Sequence, residues 1–191
     1  MKVKEFEFSQ NWAMFWDKFE RANWFLQHII ETADRDVDDR TVAFLLSDPI
    51  GDGGQWNMFV NVVKKHGLVP KSAMPETESS SCTMKMNMIL RWKLRDGAER
   101  IRVNDADVEQ VRTEVLSGIW RILCIHLGTP PEQFDWQWHD KDKKFHRTGS
   151  MTPQDFLAEY VTVDWENYAC LVDDPRNEYY RTYTVDCLQN V

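Results

Sequence analysis

No two cysteines in this chain stand at Cys-x-x-Cys spacing. The four present, Cys82, Cys124, Cys170 and Cys187, are scattered, which excludes a zinc ribbon or a dithiol redox centre. No apolar run reaches the roughly 18 residues of a membrane-spanning helix. The opening MKVKEFEFSQ has no apolar stretch of signal-peptide length. Free thiols in a reducing cytoplasm are therefore expected. Basic residues are outnumbered, 23 against 31 acids for a net charge of −8, and they form no block. That argues against nucleic acid or an anionic membrane as partner, since both reward concentrated positive charge. The sequence contains no HExxH, no GxSxG elbow, no Walker loop and no Rossmann fingerprint. No metal or cofactor is expected.

Aromatic residues are abundant instead. Nine tryptophans and ten phenylalanines within a 42% hydrophobic composition supply a core for one compact domain or two small ones. A helix is expected from Ser9 to Thr32, with Ser9 as N-cap and Trp12, Phe15, Trp16, Phe19, Leu26 and Ile30 on one face. A short helix follows DRDVDDR and ends at Asp48, before Pro49. A third runs from Gly54 to His66 and stops at Gly67. KSAMPETESSSC, at 71–82, is polar and turn-rich and marks the expected boundary between a segment 1–72 and a segment 73–191. Helices over 83–98 and 105–127 come next. FDWQWHDKDKKFHRT then alternates apolar and polar residues around a charged turn, as a β-hairpin does. TPQDFLAEYV predicts a short helix opened by Thr152 and Pro153. YACLV and YYRTYTV, either side of DDPRN, read as strands. The fold class is a helix-rich α+β.

The candidate nucleophiles and ligands each have an ordinary reading. Cys82 lies near a possible helix start, which can lower a thiol pKa, but Glu76 and Thr83 stand where a papain-type cysteine needs glutamine and tryptophan. Cys124 is expected in a helix interior, and Cys170 and Cys187 in packed strands. His28 and Glu31 share a helix face in the reverse of the Glu-x-x-His order. His139 and His146 flank the hairpin turn. DRDVDDR fails as a calcium loop, with Asp39 in place of the glycine and Leu45 in place of the bidentate glutamate.

Gly51, Gly53 and Gly54 fall within four positions, in DPIGDGGQWNMF. That segment belongs to a set of collinear runs: KEFEFSQ, FWDKFERANWFL, DGGQWNMFVNVVKKHGLVPKSAMPE, LGTPPEQFDWQWHDKDKKFHR and LVDDPRN. Together they resemble the papain-like cysteine aminopeptidases, comprising bleomycin hydrolase and bacterial aminopeptidase C, with the bacterial branch the nearer. The resemblance implies part of the helical half of a papain-like fold at 1–72, and the family's helical insertion with its hairpin at 73–191. It implies that Gly54 pairs through its N–H and C=O with an extended peptide, with Gly53 beside it and Gln55 and Trp56 walling a subsite. A Cβ at the clamp would hold the peptide away.

The family's catalytic cysteine, histidine and asparagine motifs are not among the 191 residues, so this chain is expected to bind peptide but to be catalytically silent. In the family the insertion builds a homo-hexamer, and the enzyme is cytoplasmic. The competing expectation is a stand-alone helical interaction module.

Overall fold

In a computed structural model the described residues are 3, 5–103, 107–169, 171 and 173–183. Helices dominate, and the described strands are those of one antiparallel hairpin. The order is α1 (Gln10–Glu31), α2 (Arg40–Ser47), α3 (Trp56–His66), α4 (Glu78–Ser81), α5 (Met84–Ile101), α6 (Val108–Leu127), β1 (Phe134–His139), β2 (Phe145–Met151) and α7 (Pro153–Tyr160), then a 3-10 turn (Trp165–Asn167).

The first helix forms the centre. Ser9 caps it by accepting the Trp12 N–H at 2.9 Å, so its start is where the sequence places it. Trp12, Phe15, Ala22, Phe25, Leu26 and Ile29 are buried, while Trp16, Phe19 and Ile30 pack more loosely against the same core. Helices α2, α3, α5 and α6 surround α1. The face of α6 is that of the valine–isoleucine stripe: Val111, Val115, Ile119 and Leu123 are buried. The core runs without a break from α1 through α5 and α6 to Phe134, Trp136 and Phe156, so residues on both sides of position 72 build it. Asn11 ties the helix ends together, its amide donating to the Pro75 carbonyl at 2.8 Å and the Leu127 carbonyl at 2.7 Å.

Two features of the chain were hidden from its sequence pattern. The polar stretch 71–82 contains a helical turn, α4, because Thr77 and Ser80 form a reciprocal capping box. The hairpin carries a bulge between Asp135 and Gln137, where Thr148 and Gly149, the latter at φ 74°, stand opposite Trp136 alone, while β1 keeps its alternation and buries Phe134 and Trp136 on one face.

Two expectations are corrected. α3 begins at Trp56 rather than at Gly54, leaving both glycines outside the helix, as their low helical propensity favours. The strands expected at YACLV and YYRTYTV do not form among the described residues. Tyr168, Leu171, Tyr179, Tyr180 and Tyr183 lie exposed, without the neighbouring strand that would pair them. Cys170 and Cys187 lie outside the described residues.

Candidate functional site

The three-glycine segment lies between α2 and α3 and is fixed from below by one charged side chain. Lys18, on the inner face of α1, is 1% exposed. A buried ammonium is costly unless its hydrogens are all engaged. Here the Nζ donates to the Gly51 carbonyl at 2.9 Å, reaches the Ile50 carbonyl at 3.4 Å and pairs with Asp52. Asp52 also accepts from Asn87 of α5 at 2.9 and 3.0 Å, and from the Thr83 hydroxyl at 3.2 Å. Burial pushes the Asp52 carboxyl up, but the hydrogen bonds from Lys18 and Asn87, with the Lys18 charge, outweigh it and hold the group below its ordinary value. Asp52 thus locks the chain to α1 and α5 immediately before Gly53.

Beyond that lock the backbone is open. Gly53, Gly54 and Gln55 are exposed, and Trp56 is half-buried. No backbone hydrogen bond to a described residue occupies the amide or carbonyl of Gly53 or Gly54. Neither glycine takes a positive φ. A Cβ at Gly53 would meet nothing within 4 Å, and one at Gly54 would meet only the tip of Arg21, at 2.9 Å. The fold therefore gives no reason of its own for glycine at either position. Gly67 is the opposite case. Its φ is 74° and its Cβ would lie 2.4 Å from the Pro153 carbonyl group, so there the fold requires glycine.

The glycine segment borders a groove of about 440 Å³. Its lining mixes apolar side chains, Met14, Met58, Phe59 and Val62, with polar and charged ones, Asp17, Lys18, Arg21, Asp52 and Thr83. Trp56 packs its ring against Phe59, Trp165 and Tyr168, with centroids 5.8–5.9 Å apart. Gly54, Gln55 and Trp56 line this groove, and Gly53 adjoins it. A groove with a partly apolar lining, beside a strip of backbone that no described residue pairs, has the makings of a site for an extended chain. Sequence reasoning missed Lys18, Asp52, Arg21 and Asn87. The Lys18 position was legible in principle, since it falls on the buried face of α1 between Phe15 and Leu26.

The remaining candidates are structural. Cys82 is exposed at the end of α4, its thiol bonded to no histidine among the described residues. Cys124 packs against the core. Ring nitrogens of His28, His66 and His146 lie 2.8 Å from Glu31, Glu20 and Asp140 respectively, and His126 is 2.8 Å from Ser79. The Ser79–His126 distance is that of a nucleophile and its base, but no described carboxylate orients the ring. The contact ties α4 to the end of α6, beside the Thr77 hydroxyl bond to the His126 carbonyl. Asp39 serves as the N-cap of α2. Among the described residues no cluster of histidine, cysteine or acidic side chains could hold a metal, and no helix is long and apolar enough to cross a membrane.

The sequence profile of the Peptidase C1-like family matches residues 1–191. The chain belongs to that family. It is 41% identical over 201 residues to rat bleomycin hydrolase and 42% identical over 194 residues to aminopeptidase C of Listeria monocytogenes, in each case across 99% of this chain. Those identities do not separate the animal from the bacterial branch. The fold is similar to the crystal structure of PepW from Lactobacillus rhamnosis HN001, with a TM-score of 0.83 and 44% identity over 86% of this chain. The chain spans 44% of the length of the two sequence relatives and 38% of the solved chain, and so corresponds to a segment of them.

Proposed function

We propose that this chain is the peptide-binding segment of a cytoplasmic, papain-like cysteine aminopeptidase, and that alone it binds an extended peptide without cutting it. Residues 1–72 are the part of the papain-like core that carries the Gly53–Gly54 loop, and 73–191 the helical insertion through which the intact enzyme assembles as a homo-oligomer. One observation carries the reading. The Gly53–Gly54 backbone is exposed at the rim of a groove and has no backbone partner among the described residues, at two positions where the fold itself does not need glycine. Gly54 pairs with the peptide main chain, Gly53 keeps the approach clear, and Gln55 and Trp56 bound the side-chain subsite. Silence in catalysis is expected because the family's cysteine, histidine and asparagine motifs are not among the 191 residues, and because no base is hydrogen-bonded to the Cys82 thiol among the described residues.

Titrating capped alanine-based tetrapeptides into the isotopically labelled chain tests this. The amide signals of Gly53, Gly54 and Gln55 are expected to shift together and saturably, while aminoacyl fluorogenic substrates are not turned over. Shifts confined to the exposed helix faces, with the glycine amides unmoved, would favour the interaction-module reading. Turnover abolished by Cys82→Ser would overturn the claim of silence.

A further inference from the structure

Arg21 stands where a bound peptide would meet it, and among the described residues its terminal nitrogens have no hydrogen-bond partner. Its Nε donates to Asp17 at 2.7 Å, one turn earlier on α1. The two Nη nitrogens meet no acceptor among the described residues, although the side chain is only 19% exposed. Nη2 lies 2.9 Å from the point that a Cβ on Gly54 would occupy. The guanidinium thus lines the groove next to the open glycine backbone. The other cation lining the groove is already engaged, since Lys18 is held by Asp52 and two carbonyls.

A partly enclosed guanidinium has lost some of its water, and its planar edge of paired N–H groups matches two carboxylate oxygens at once. Asp17 contacts only the Nε side in hydrogen bonding, so the Nη edge remains available for a second acceptor. Resting on the peptide-binding reading above, we infer that Arg21 is a specificity-determining residue. It selects a peptide that places a carboxylate beside Gly54, whether from an acidic side chain or from the chain terminus. Asp17 opposes a second carboxylate through space and limits the gain, which sets the expected preference near tenfold rather than a hundredfold.

The test compares three alanine-based tetrapeptides by titration into the 191-residue chain, followed through the Gly54 amide. One is capped at both ends with an internal glutamate, one is capped with glutamine in its place, and one has a free carboxyl terminus and no acidic side chain. At least one carboxylate peptide is expected to bind roughly tenfold more tightly than the glutamine peptide, and the arm that does so identifies the source. In Arg21→Ala and in Arg21→Gln that ratio should fall to about one while the glutamine peptide still shifts Gly54. Arg21→Lys should restore only part of it, because an ammonium lacks the fork. A purely structural role for Arg21 would weaken all three peptides alike and leave the ratio untouched. Equal affinities in the unaltered chain, or a ratio that survives Arg21→Ala and Arg21→Gln, would overturn the inference while leaving the peptide site standing. If no peptide moves Gly54 in the unaltered chain, the peptide site falls and the inference with it.

Discussion

Replacing Asp52 with alanine is expected to lower the unfolding free energy by about 3 kcal/mol, read from urea denaturation. The expectation rests on which partner is buried. The Lys18 side chain is 2% exposed and that of Asp52 57%, so removing the carboxylate strands an ammonium with only the Ile50 and Gly51 carbonyls. The reverse change, Lys18→Met, leaves a carboxylate that water reaches and puts an apolar chain of similar length into the core. It should cost clearly less. Because the Asp52 pKa is lowered on folding, its contribution is present above the unfolded value of 3.8 and is lost as pH falls through the folded one. Asp52→Ala should therefore flatten the acid limb of the stability profile. Equal losses for the two variants would mean that the buried ammonium does not depend on its carboxylate.

Gly67→Ala is expected to cost about 3–5 kcal/mol, from a left-handed backbone combined with overpacking. The new methyl would lie 2.4 Å from both the carbon and the oxygen of the Pro153 carbonyl, and 2.8 Å from the Gln154 nitrogen. All three are backbone atoms that cannot swing aside. The same junction carries the Leu68 N–H to Pro153 carbonyl bond at 3.3 Å, and the Gln154 amide caps the Lys64 and Lys65 carbonyls at 3.1 and 2.8 Å. Displacing α7 therefore also uncaps the end of α3. Gly53→Ala is the control: with nothing within 4 Å, it should be neutral or stabilising by up to about 1 kcal/mol. A midpoint for Gly67→Ala close to that of the unaltered chain would show that α7 can move away freely.

These contrasts bear on how far the sequence could be read. Helix periodicity and capping chemistry are local, so α1 from Ser9, the stripe of α6, the hairpin turn and the Thr152–Pro153 start of α7 were all legible. The α4 turn was not, because serine-rich stretches look alike whether they cap a helix or wander. The strand-like tyrosines near the C-terminal end misled because alternation signals a strand only where another strand can pair with it. At the site, the glycines stood out by composition and the family resemblance gave them a role. What holds them was invisible: Lys18, Asp52 and Asn87 meet across 34 and 35 positions of sequence. A lone lysine on an apolar helix face was the one local hint. Arg21 was invisible for the same reason, since its place beside Gly54 is a product of how α1 packs under the loop.

The most direct test of the peptide rail is Gly54→Ala, with unfolding free energy and tetrapeptide affinity measured on one preparation. Among the described residues the one atom in the way of the new methyl is the flexible tip of Arg21. Stability should hold or rise by up to about 1 kcal/mol, while affinity falls at least about tenfold because the methyl keeps the peptide main chain from the Gly54 amide and carbonyl. A variant that is destabilised yet binds peptide as before would contradict the account, showing that glycine serves the loop and not a ligand.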